Sequence, residues 1–211
     1  MKRLSPDEIL KRLRSLSGPR KIVAIAGPPG SGKSTLAEWL ADQLGARAAI
    51  LPMDGYHFDD RVLESKGRLA NKGAPDTFDA AGLAAMIRRL RANEEPEIAI
   101  PVFDREIEIA RAGAALIPHT ADLVLVEGNY ILADCAPWSA LTPLFDLRAL
   151  VKVSEPELTR RLRRRWEGYN LSEAAIRDKL EQNDLPNGRF VYEQSLRAEL
   201  EIDGETPFAT G

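Results

Sequence analysis

A chain of 211 residues, 44% hydrophobic and 29% charged, has the size and balance of one soluble α/β domain with a sizeable core. The net charge of −3 gives no general pull toward nucleic acid or an anionic membrane, and no apolar run approaches the length of a membrane span. The opening MKRLSPDEILKRL is too polar for a secretion signal, and the lone cysteine, Cys135, excludes an internal disulfide, reads as a small packed residue and fits a reducing cytoplasm.

Ser5, Pro6, Asp7 and Glu8 predict a helix start, with Ser5 as N-cap and Glu8 closing a capping box. Ile9, Leu10, Leu13 and Leu16 then recur at helical spacing until Gly18-Pro19, which predicts a helix packed outside a sheet. Ile22 to Ala26 is an apolar run, followed by a Gly/Pro-rich turn and a helix opened by Lys33, Ser34 and Thr35. Gly27, four residues, Gly32, Lys33 and Ser34 have the spacing of a phosphate-binding loop, with the strand and helix the pattern requires. In such a loop (Gly27, Pro28, Pro29, Gly30, Ser31, Gly32, Lys33, Ser34, Thr35) backbone N–H groups converge on an anion, aided by the start of the helix. Lys33 is expected to reach the outer phosphates of a nucleoside triphosphate and Ser34 to take a place on Mg²⁺. The glycine spacing does not fit the dinucleotide fingerprint.

Leu36, Leu40 and Leu44 mark the buried face of that helix, and Gly45 ends it. A short strand from Ala48 to Leu51 leads to Asp54, placed just past a strand's carboxyl end, where open parallel sheets bind ligands. Asp54 there can take the proton of an attacking hydroxyl, or it is a turn aspartate before Gly55. Residues 58–78 are polar and long enough for a lid or substrate-binding segment, ending in a cap for a helix from Ala80 to Leu90. Glu97 to Val102 reads as a strand, and Phe103-Asp104-Arg105 after it as a salt-bridged turn or a substrate contact.

Leu123 to Val126 is the continuous apolar run of a central parallel strand, and Glu127 at its end stands where Mg²⁺ is held through its water shell. Ala149 to Val153 predicts another strand. Glu155 and Pro156 open a helix with Leu158, Leu162 and Trp166 on one face. That helix carries Arg160, Arg161, Arg163, Arg164 and Arg165 with few acids on the same turns, a costly field unless an anion sits there, as under a phosphate-closing lid. Leu171 to Leu180 predicts a second helix of the arm, Asn183 to Gly188 a polar turn, Ala198 to Ile202 a last strand, and Gly204 onward a frayed tail.

Taken together, AGPPGSGKST, MDGYH, KGAPDTFD, IPVFDR, VLVEGNY and RRLRRRW resemble the P-loop small-molecule kinases of the uridine kinase, pantothenate kinase and phosphoribulokinase group, over residues 21–202. Within the group they look most like the bacterial proteins called fructose transport system kinases. The resemblance implies a three-layer, doubly wound parallel sheet of the P-loop NTPase type, a single domain over residues 1–211 with a helical lid at about 156–188, and ATP with Mg²⁺. It gives Asp54 the role of base and Glu127 that of magnesium partner. Arg161 and Arg165 become catalytic and Arg164 phosphate-binding. Tyr56, His57, Asp104, Tyr130, Asn183 and Asn187 become substrate contacts. Gly73 and Glu108 stand where uridine kinases carry an acid and a base-reading histidine, which counts against a pyrimidine nucleoside. A sugar or other polyol is the expected acceptor, ahead of pantothenate or a nucleoside. The rival class is a nucleotide-gated regulator or ATPase, which would need a water-positioning switch segment. A cytoplasmic protein, alone or as a homodimer, without nucleic-acid or membrane partners completes the expectation.

Overall fold

The structure is a computed structural model describing residues 3–206. Helix α1 (Pro6–Arg14) begins with the expected capping box: Glu8 N–H donates to Ser5 Oγ at 3.3 Å, and Ser5 N–H donates to the Glu8 carboxylate at 2.8 Å. Strand β1 (Lys21–Ala26) feeds the glycine-rich turn and α2 (Lys33–Leu44), and Gly45 ends that helix. Next come β2 (Ala48–Pro52), the short α3 (Asp60–Ser65) and α4 (Ala80–Ala92). Asp79 caps α4 by accepting from Gly82 N–H at 2.8 Å, so the cap predicted at the end of the 58–78 segment is present.

Strands β3 (Glu97–Asp104) and β4 (Ile109–Pro118) form an antiparallel hairpin apart from the main sheet. Strand β4 has no counterpart in the sequence reading. Its IARAGAALIP is rich in alanine, has little strand propensity and is mostly exposed, so pairing with β3 rather than local preference makes it a strand. Then follow β5 (Leu123–Gly128), β6 (Leu147–Lys152), α5 (Glu155–Gly168), α6 (Glu173–Lys179), α7 (Leu185–Gln194) and β7 (Leu200–Asp203).

The main sheet is parallel, in the order β2-β5-β1-β6-β7. Alternation along β1 sends Ile22, Ala24 and Ala26 to one face, where α4, the hairpin and α7 pack, and Val23 and Ile25 to the other, covered by α1, α2, α5 and α6. Every residue of β5 is buried, as a strand covered on both faces must be. This is the three-layer doubly wound architecture expected, with the hairpin added.

Two stretches differ from the sequence reading. Asn183 to Gly188 is not a turn: α6 continues through a π turn over Leu180–Asp184 directly into α7, and the widened turn just ahead of Pro186 is where the helix absorbs a residue that lacks an N–H. Gly204 to Thr206 is not frayed. Gly204 N–H donates to the Lys152 carbonyl at 3.0 Å and its own carbonyl accepts from Arg161 at 2.8 Å, while residues beyond 206 lie outside the described stretch.

Candidate active site

All strands of the main sheet run the same way, so the segments leaving β1, β2 and β5 emerge on one side, together with the lid helices. There they enclose a cavity of about 800 Å³. The phosphate loop forms one wall. Gly30 and Gly32 sit at φ of 78° and 82°, conformations glycine adopts without strain, and these turn the loop amides inward ahead of α2. Pro29, Gly30, Gly32, Lys33, Ser34 and Thr35 line the cavity. Gly27, Pro28 and Ser31 form the back of the loop, where Ser31 N–H donates to the Pro28 carbonyl at 3.1 Å.

At the end of β5, Glu127 is buried and accepts a hydrogen bond from Ser34 Oγ at 3.0 Å. Burial pushes its carboxyl above the usual carboxylate range, and the nearby Lys33 charge opposes this; Asp54 and Arg105 are also near enough to act on it. A buried carboxylate beside a hydroxyl on a phosphate loop is an all-oxygen donor pair, which fits Mg²⁺ completed by water and phosphate oxygens.

The turn after β2 (Met53–Tyr56) brings Asp54 to the cavity wall. Asp54 Oδ2 is paired with Arg105 Nη2 at 2.8 Å, and Arg105 comes from the hairpin turn just past β3. His57 also lines the cavity, its ring between Phe78 (4.0 Å) and Phe103 (4.5 Å). Its Nδ1–H donates to the Asp54 carbonyl at 2.8 Å, and burial pushes its pKa down, so the ring is neutral with the lone pair on Nε2. Asn183 and Asn187, one turn apart across the start of α7, line the opposite wall and bond to each other at 3.0 Å.

Other expected contacts lie behind the wall. Tyr130 is fully buried and its hydroxyl donates to the Gly73 carbonyl at 2.6 Å, fixing the 58–78 segment rather than facing the cavity. Tyr56 is packed in the core, with its pKa pushed up by burial. Asp104 binds Arg111 at 3.2 Å and the Glu106 N–H at 3.1 Å, holding the hairpin turn. That turn is therefore salt-bridged, while the neighbouring Arg105 reaches the cavity.

The arginine run is dispersed. Glu157 takes Arg160 (2.7 Å) and Arg161 (2.6 Å), and Glu173 on α6 takes Arg163. The scarcity of acids read from the sequence is thus corrected: Glu157 lies one turn back, and Glu173 comes from the next helix. Arg161 also donates to the Ser31 carbonyl at 3.3 Å and borders a second cavity of about 380 Å³, between Thr35, Pro6 and Gly204, rather than the main one. Arg164 is exposed and lines neither cavity, whereas Arg165 lines the main one beside Trp166.

Cavity residues the sequence reading did not single out include Lys72, Asn129, Lys179 and Asp184; Arg105, read as part of a salt-bridged turn or a substrate contact, and Trp166, read as part of an apolar helix face, line it too. Trp166 Nε1–H donates to the buried Asp184 at 2.7 Å, and Lys179 lies 5.2 Å from the indole centre. Arg105 and Lys72 stood inside quoted segments. No periodicity marks them, because they reach the site from loops.

Comparison with known proteins gives the same picture. Residues 23–75 match the family described as "ATPase family associated with various cellular activities (AAA)", a stretch that takes in the phosphate loop and Asp54. The crystal structure of a "putative fructose transport system kinase" from Silicibacter sp. TM1040 superposes with a TM-score of 0.84 at 38% identity, over 93% of this chain and 96% of that one. A "putative uridine kinase" of Schizosaccharomyces pombe is 29% identical over 93% of this chain and 89% of its own length. The pantothenate kinase of Myxococcus xanthus is 28% identical over 75% of this chain, which spans 52% of that enzyme. The chain belongs to the P-loop small-molecule kinases related to uridine kinase and pantothenate kinase, and is an ATP-dependent small-molecule kinase.

Proposed function

We propose that the protein transfers the γ-phosphoryl group of ATP to a hydroxyl of a small polyol, such as a sugar, with Asp54 as the base. The observation that carries this reading is the makeup of one cavity. The phosphate loop forms one wall, Asp54 stands on another, and among the charged side chains that line the space Asn71, Asn129, Gln182, Asn183, Asn187 and His57 supply neutral hydrogen-bonding groups. These amides and the imidazole suit the donors and acceptors of several hydroxyls. The side-chain oxygen of Asn129 is buried with no partner among the described residues, an acceptor ready for a hydroxyl proton.

Lys33 and the loop amides hold the β- and γ-phosphates, and the second cavity, beside Thr35 and Arg161, takes the nucleoside end. Ser34 and Glu127 would hold Mg²⁺, which when bound draws charge from the phosphate oxygens. Asp54 orients the acceptor hydroxyl and receives its proton. Arg165 adds positive charge from the lid side as water is excluded.

A coupled ADP-release screen across sugars, sugar alcohols, nucleosides and pantothenate, with Mg²⁺ present, tests the reading. ADP release that depends on a sugar or sugar alcohol supports it. Release that depends on a nucleoside or on pantothenate moves the acceptor class, and release needing no acceptor favours the nucleotide-gated ATPase.

A further inference from the structure

We propose that Arg105, delivered by the β3–β4 hairpin, is the catalytic arginine at the acceptor end of the cleft, contacting the transferring phosphoryl group and stored on Asp54 until the acceptor arrives. The proposal rests on the base role of Asp54 given above.

The first observation is the placement of the cations. Of the lid arginines, Arg160, Arg161 and Arg163 are committed to Glu157, Glu173 and main-chain carbonyls, and Arg164 lies outside both cavities. Arg165 and Lys179 line the cavity from the lid side, beside Trp166. On the acceptor side stand Lys72 and Arg105. Lys72 is largely buried and held by the Asp60 carboxylate at 2.6 Å and the Glu108 carbonyl at 2.5 Å. Arg105 has one partner, Asp54, and its side chain is 48% exposed within the cavity wall.

The second observation is geometric. Only one N–H of the guanidinium, on Nη2, engages Asp54, and only Oδ2 of the carboxylate is taken. Oδ1 remains to accept the acceptor's proton, while the rest of the fork is available to a neighbouring anion. Arg105 and Asp54 line the same cavity as Gly32, Lys33 and Ser34 of the phosphate loop. The guanidinium therefore shares with the base the cleft into which the loop presents the γ-phosphate.

In the proposed step the acceptor O–H gives its proton to Asp54, and the freed lone pair forms the bond to the γ-phosphorus. The bond from that phosphorus to the β,γ-bridging oxygen breaks, and its electron pair leaves with ADP. Charge on the equatorial oxygens is met by Arg105 from one side and Arg165 from the other. As Asp54 loses its negative charge it loosens its hold on Arg105 at the moment the phosphoryl oxygens need a donor.

The test uses Mg²⁺·ADP together with the acceptor found in the screen, with and without aluminium fluoride, a planar stand-in for the transferring group, titrated calorimetrically into the full chain. The native protein is expected to bind the fluoride complex at least about tenfold more tightly than Mg²⁺·ADP. Arg105→Ala should lose that gain while its affinity for Mg²⁺·ADP stays within about twofold, Arg105→Lys should keep part of it, and millimolar guanidinium should restore part of it to Arg105→Ala. An equal gain in Arg105→Ala, a matching loss of Mg²⁺·ADP binding, or no gain in the native protein overturns the proposal. Asp54→Asn separates the two readings, since it is expected to keep the fluoride gain while losing transfer to the acceptor found in the screen. If it keeps transfer, the base role falls, whereas the contact of Arg105 is decided by the fluoride gain.

Discussion

Gly55 offers the sharpest test of how the site is assembled, because only space requires a glycine there. An added Cβ would lie 2.8 Å from the carbonyl carbon of Pro101 in β3, closer still to its oxygen, and 3.3 Å from its Cβ. Ordinary contact begins at 3.4 Å, and the two nearest atoms are backbone while the third belongs to a proline ring, so none has a rotamer to escape through. In Gly55→Ala the turn carrying Asp54 must therefore part from the hairpin by about 0.6 Å or more. Overpacking of this kind costs roughly 1–3 kcal/mol. For a chain of this length that lowers the melting temperature by roughly 2–12 °C. The catalytic cost is larger in proportion. Asp54 belongs to the turn and Arg105 to the hairpin, so the shift opens their 2.8 Å pair, and a displacement near 1 Å costs on the order of a hundredfold in rate. Thermal unfolding by circular dichroism, ADP release with the acceptor from the screen, and Mg²⁺·ATP titration measure the three quantities. Affinity for ATP should hold, because the phosphate loop is a separate stretch of chain. A variant that melts within about 1 °C of the native protein and turns over within about threefold would refute the reasoning.

Lys33→Ala should weaken both Mg²⁺·ATP binding and turnover, whereas Asp54→Asn should leave binding nearly intact and remove phosphorylation; equal loss of binding in both argues against a base at position 54. Tyr130→Phe leaves the Gly73 carbonyl without its 2.6 Å donor, which costs roughly 1–2 kcal/mol, seen as a melting temperature lower by roughly 2–8 °C, and raises KM for the acceptor rather than for ATP. Hydrogen bonds from Arg160 and Arg161 hold the Glu157 carboxyl down to about 2, against its ordinary 4.5. The folded state thus favours the ionised form, so the pairing stabilises above pH 4.5 and is lost as pH falls toward 2. The melting-temperature difference between native protein and Glu157→Gln should be constant above pH 5 and close below pH 4.5, and a difference that ignores pH in this range would show the pairing to be inert.

Much of the fold was legible because its signals are local. The capping box at Ser5, the glycine after Leu44, the Asp79 cap and the apolar run of β5 each name a boundary through chemistry within a few residues. The misreadings share a cause. Strand β4 has no pattern of its own and exists through β3. Asn183 to Gly188 carries a proline and a glycine, residues that usually end helices, yet the π turn ahead of Pro186 carries the helix past both. At Gly188 a Cβ would lie 3.5 Å from Pro28 in the phosphate loop, an ordinary contact, so space does not demand the glycine there. What the sequence presents as a breaker is a helical position packed against the loop.

The arginine run shows where sequence reasoning about charge stops. Five arginines in six positions look like an anion site when only their own helix is counted, but the guanidiniums of Arg160, Arg161 and Arg163 follow the carboxylates and carbonyls that the fold brings to them. Arg161 ties α5 to three places at once: Glu157 on its own helix, the Ser31 carbonyl in the phosphate loop and the Gly204 carbonyl after β7. Leu162 beside it reaches the same loop, where a Cβ on Gly30 would meet it at 2.9 Å. The run therefore roots the lid helix on the loop itself, and Arg165 is the member that lines the phosphate cavity. Cations from elsewhere in the chain, Lys179 on α6 and Arg105 on the hairpin, line that cavity beside it. No spacing rule connects those residues to Lys33, because the cleft in which they meet exists only once the sheet has brought the ends of β1, β2 and β5 to one side.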